Sequence, residues 1–167
     1  MSNVLPDAPA ERTLLDQLGF LIGRFGGPEL MHETAWAPAG RAHGRADGRL
    51  TALALIQEQV QSREGAPDFE ALNIFTLDAA TGDVFLYSFD SVGYLPDPRA
   101  RGSWIGGELV LVRSTARGHS RTRYAEVPDG YRWMKEFRPT EDAEWSTVVE
   151  GELTRIGAGV PAPLPQP

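Results

Sequence analysis

Between Leu72 and Val112 short runs of β-forming residues alternate with turn chemistry, and few architectures besides an antiparallel meander accommodate that rhythm. Leu72-Asn73-Ile74-Phe75-Thr76-Leu77 is one run, and Asp78 to Asp83 is the turn after it, with Gly82 free to take a positive φ. Val84 to Phe89 is the next run, ended by Asp90-Ser91-Val92-Gly93. After a proline-containing loop, Trp104 to Val112 reads as a hairpin turning on Gly106-Gly107, a pair suited to a two-residue primed turn.

The same rhythm extends in both directions. Upstream, Met31 to Trp36 and Arg41 to Ala46 read as strands, Asp47-Gly48 as a hairpin signal, and Leu50 to Ser62 as a long strand. The far half of that strand turns polar (Gln57-Glu58-Gln59-Val60-Gln61), so it either leaves the core or lines a wet surface. A helix over 50–63 is the competing reading, because Leu, Ala, Gln and Glu all favour one, but turn signals flank the segment at hairpin spacing. Downstream, Ser120 to Val127, Tyr131 to Arg138 and Trp145 to Arg155 read as strands. In the second of these Tyr131, Trp133, Lys135 and Phe137 share one face, and Met134 and Glu136 the other. One short helix, Glu11 to Leu18, precedes them all, capped by Asp7 or Thr13 and ended by Gly19. A glycine-rich bend, Phe20 to Pro28, follows the helix. Consecutive hairpins in this number usually close on themselves to remove their edges. The expected fold is therefore all-β: an antiparallel up-and-down barrel of nine or ten strands with a short N-terminal helix. Residues 1–10 read as a loose arm, 11–156 as the barrel domain and 157–167 as a disordered proline-rich tail.

Composition removes several functional classes. A chain of 167 residues with 41% hydrophobic content supports one domain with a substantial core. The net charge of −7 weighs against nucleic acid and anionic membrane surfaces as partners. The absence of cysteine removes disulfides, thiolate catalysis and thiolate metal sites. Met1 to Asp7 lacks a basic region and an apolar core, and no apolar run approaches the ~20 residues of a membrane helix, so a cytoplasmic location is expected.

Certain residues also carry a resemblance. Leu18 to Gly27, a helix end leading into Gly23-Arg24-Phe25, resembles the opening of lipocalin-like (calycin) barrels, with Phe25 where those have tryptophan. Leu77-Asp78 then Thr81-Gly82, Phe89-Asp90-Ser91 then Gly93, Gly102 before Trp104, Arg121-x-Arg123 and Asp129-Gly130-x-x-Trp133 closely resemble an uncharacterised bacterial family of that clan. The resemblance covers about residues 14–155 and implies a barrel closed at one end and open at the other, able to hold a small ligand. It implies no activity. Gly23-x-Phe25-x-Gly27 is also similar to the opening of the haem-binding nitrobindins, which ligate iron through a histidine near the C-terminus. The last histidine here is His119, ahead of the final two strands, and no cofactor is expected.

The candidate lining of such a cavity is Tyr87, Trp104, Arg123, Trp133, Glu136 and Trp145. Rings suit a planar or apolar ligand, and an inward Arg–Glu pair would suit a polar head. On an outer face Arg121, Arg123 and Glu136 would instead be ordinary cross-strand ion pairs. His32, His43 and His119 lack metal-ligand spacing, and Ser91 lacks a nucleophile elbow, so neither a metal nor a catalytic residue is assigned. The loop Tyr94 to Arg101 is either a plain connection or a lid over the open end. The expected partner is a small hydrophobic or aromatic molecule, bound without chemistry. An isomerase- or lyase-type enzyme with Glu136 as base, and a homodimeric structural module packed sheet on sheet, are the alternatives.

Overall fold

The computed structural model describes residues 13–93 and 97–157. The expected N-terminal arm, nearly all of the proline-rich tail, and Tyr94 to Pro96 of the candidate lid lie outside the described residues. Ten antiparallel strands form a closed barrel in up-and-down order, with β1 pairing both β2 and β10. They are β1 (Gly23–Met31), β2 (Gly40–Leu50), β3 (Leu55–Ser62), β4 (Phe69–Leu77), β5 (Val84–Asp90), β6 (Ala100–Ile105), β7 (Glu108–Thr115), β8 (Gly118–Val127), β9 (Gly130–Arg138) and β10 (Ser146–Gly157). Closure gives every strand a neighbour on both sides, although β5 and β6 pair only from Val84 to Leu86.

A helix, α1 (Leu14–Leu18), and a 3₁₀ turn at Gly19–Leu21 lead into β1. Thr13 starts the helix. Its hydroxyl oxygen accepts from the Asp16 amide at 3.1 Å, and the Asp16 carboxylate accepts from the Thr13 amide at 3.2 Å. The helix covers one mouth of the barrel. Leu18 and Leu21 are fully buried, and the Phe20 ring meets Trp104 and Tyr131 edge-on, at 5.7 and 6.4 Å between centroids. Above this floor Phe25, Leu55, Phe75, Val84, Leu109, Leu111, Tyr124, Tyr131 and Leu153 fill the lower half of the lumen.

Several boundaries differ from those read in the sequence. The glycine-rich segment after the helix is itself β1, whereas 32–36 holds only a single bridge between Thr34 and Ala37. The strand β2 runs straight through Asp47-Gly48, and the reversal comes later, where the Thr51 amide donates to the Ala54 carbonyl at 2.8 Å. Residues 55–62 are strand, not helix. By contrast the Gly106-Gly107 turn is where its chemistry placed it, with φ of 60° and 84°.

Candidate functional site

Strand alternation sorts the side chains into an inner and an outer set. On β3 Leu55, Gln57, Gln59 and Gln61 face inward; Leu55 joins the packed floor and the three glutamines rise above it. The neighbouring inner positions of β4 and β5 include Asn73 and Ser88, which stand opposite each other. A polar ladder results. The Ser88 hydroxyl donates to Asn73 Oδ1 at 2.7 Å, and Asn73 Nδ2 reaches Gln57 Oε1 at 3.3 Å and Gln59 Oε1 at 3.4 Å. Gln57 Nε2 in turn donates to the Tyr131 hydroxyl at 3.2 Å. Buried amides persist because they satisfy one another.

The Glu29 carboxylate is buried on β1, one strand beyond β2 from the glutamines of β3. It accepts from Gln61 Nε2 at 2.5 Å and from Trp133 Nε1 at 3.0 Å. Two glycines make room for it. A Cβ at Gly44 would stand 2.2 Å from Glu29 Oε1, and one at Gly151 would stand 2.8 Å from its Cγ. Desolvation raises the Glu29 pKa above the ordinary carboxylate range, against the pull of its two donors and of His43.

Between this ladder and the open mouth lies a cavity of about 370 Å³. Its walls include Tyr124, Trp133, Leu86 and Val149 as well as the amide ladder. Its charged lining comprises four cations, Arg63, Arg113, Arg117 and Lys135, against two carboxylates, Asp90 and Asp97. Asp97 is shared: Arg113 reaches it at 3.1 Å and Arg117 at 2.7 Å. Lys135 forms no ion pair with a carboxylate among the described residues; Asp90 and Asp97 act on it from a distance. Desolvation pushes its pKa down, and the Arg113 guanidinium pushes it further.

The six residues expected to line the cavity are distributed as follows. Trp133 faces the lumen and bonds Glu29. Trp104 lies on the inner side at the helix-covered end, against Phe20. Tyr87, Arg123 and Glu136 alternate to the outer wall, where Tyr87 is exposed beside Phe89 and Leu72. Arg121 binds Glu136 through two nitrogens at 2.6 and 2.8 Å, and Arg123 Nε reaches Glu108 at 2.8 Å. Trp145 precedes β10 and receives the guanidinium groups of Arg121 and Arg138 at 4.4 and 4.5 Å from its ring centre. The Arg121, Arg123 and Glu136 set is thus the outer, cross-strand arrangement. The carboxylate assigned as base in an enzymatic reading points away from the lumen.

The residues that shape the cavity but were not singled out beforehand are Glu29, Asn73, Arg113 and the glutamines as inward donors. Lys135 carried a signal: a lone cation on a strand face otherwise formed by Tyr131, Trp133 and Phe137. The three histidines stand apart. His32 bonds Glu150 at 3.3 Å, His119 bonds Ser114 at 2.7 Å, and His43 is exposed on β2.

A closed, ten-stranded antiparallel barrel with a half-filled lumen is consistent with a calycin-like fold. Among solved structures, the crystal structure of Rv2717c from M. tuberculosis superimposes with a TM-score of 0.66 at 14% identity, covering 86% of this chain and 98% of that one. At that identity the likeness is one of fold alone. Comparison with protein families and with curated proteins gives no match.

Proposed function

We propose that the protein binds a small, largely apolar or aromatic molecule in the upper lumen and carries it without catalysing its conversion. The observation behind this reading is the division of the interior. The lower half is packed solid against its helical floor, and the upper half holds a cavity of about 370 Å³ walled by Trp133, Tyr124, Leu86 and Val149. That volume lies within the range of natural small-molecule sites, and the pairing of apolar walls with a few converging polar groups is characteristic of them. The buried amides hold one another and stand at fixed positions, so they orient a guest more than they react with it. A thermal-shift screen of lipophilic and aromatic compounds, with hits checked by native mass spectrometry, tests the reading. Compounds that fit are expected to raise the unfolding midpoint and travel with the protein at one-to-one stoichiometry. A screen in which no aromatic compound produces either effect overturns it.

A further inference from the structure

Resting on that reading, we propose that the ligand of the upper lumen is an organic carboxylate whose anionic group is held by Lys135 and Arg113. The two cations approach from different strands. Arg113 on β7 stands opposite Ser120, and Lys135 on β9 stands opposite Thr122, so both lie on the inner face flanking the same short piece of β8. Their side chains share one cavity.

The electrostatic situation there is unbalanced. Of the two lining carboxylates, Asp97 is engaged by Arg113 and Arg117 together, and Lys135 has no ion-pair partner among the described residues. The buried Arg113 Nε donor likewise lacks a partner. Outer-wall cations are matched directly instead: Arg121 with Glu136, Arg123 with Glu108, Arg101 with Asp83. On a chain of net charge −7, an interior with surplus cations is a local reversal of sign. A half-buried charge without a partner is costly unless something completes it, and a ligand anion would do so. Around the cations the amides of Gln59 and Asn73 and the hydroxyls of Ser88 and Thr122 offer neutral partners, while Trp133 and Tyr124 offer ring faces. A carboxylate at the mouth side with an aromatic or aliphatic body directed toward Trp133 satisfies both parts of the lining.

The experiment uses matched probes. Isothermal titration calorimetry compares 1-naphthoate with its neutral isostere 1-naphthamide, on the full chain and on Lys135→Met, with inorganic phosphate as a competitor. The expected result is that naphthoate binds about tenfold or more tightly than the amide, and that Lys135→Met removes this preference, so that acid and amide bind the variant about equally. An unfolding midpoint for Lys135→Met no lower than that of the parent shows that the loss is local. Equal affinity for acid and amide on the parent overturns the anion site and leaves the carrier reading standing. Failure of both probes to bind overturns the carrier reading and the anion site together. Phosphate competing as strongly as naphthoate overturns the organic carboxylate in favour of a site for the bare anion.

Discussion

Glu29 shows what a single residue does inside this barrel. Its carboxylate is enclosed between Gly44 and Gly151 and tied to Gln61 and Trp133. Burial disfavours its charged form, so in the folded protein it holds its proton to higher pH than in the unfolded chain. The stability it contributes is fully present below its unfolded pKa and is lost as the pH rises through the folded one. Glu29→Gln cannot ionise. Relative to the parent, that variant is expected to gain stability in urea unfolding as the pH rises above about 4, the ordinary glutamate range, and a difference independent of pH would refute the shift. Lys135 poses the complementary problem: desolvation and Arg113 disfavour its charge in the folded state. A carboxylate guest would relieve that tension, whereas the Glu29 carboxylate is already held by its own hydrogen bonds.

At the scale of elements, the most instructive case is β2. Asp47-Gly48 has the chemistry of a hairpin turn, yet the strand continues through it to Leu50, paired with β1 as far as Gly48 and with β3 to its end. Gly48 is needed for another reason. A Cβ there would stand 1.9 Å from the Leu21 carbonyl oxygen, so the glycine lets the 3₁₀ turn press onto the barrel wall. Backbone cannot yield as a flexible side chain can. Gly48→Ala is therefore expected to cost about 2–4 kcal/mol in chemical denaturation and to loosen the helical cover. A cost within about 0.5 kcal/mol would mean that the cover does not depend on this contact. Gly106-Gly107 is the contrasting pair: its positive φ values are a local property of the turn, and its position was legible without any tertiary partner.

For the whole molecule, the consequential division is between the packed lower half of the barrel and the polar upper half. Strand pairing runs from one to the other except between β5 and β6, where it stops at Leu86 and Ala100, and the side-chain packing changes across the same level. A guest in the cavity should therefore act on one half. Hydrogen exchange with and without a bound aromatic compound is expected to show added protection in Gln59 to Ser62 of β3 and Lys135 to Arg138 of β9, with little change around Leu55, Leu109 and Leu153. Protection spread evenly over both halves, or confined to the outer wall, would place the guest elsewhere.

The chain by itself determined that nine or ten strands run up and down and where most of their turns fall, because β-propensity, period-two alternation and turn chemistry are local properties written in consecutive residues; it did not mark Gly23–Met31 as the first strand. It also determined which side chains share a face: Tyr131, Trp133, Lys135 and Phe137 are together on β9 as alternation requires. Which of the two faces turns inward was decided only by closure. Arg121 and Arg123 share a face with each other and not with Tyr124, and nothing in their own segment says that Tyr124's face is the lumen. The direction follows from the curl of the closed sheet and from which partners it brings across: Glu29 to Gln61 and Trp133, and Lys135 to the cavity of Arg113. Those neighbours are separated by tens of residues along the chain, and only the tertiary structure makes them a site.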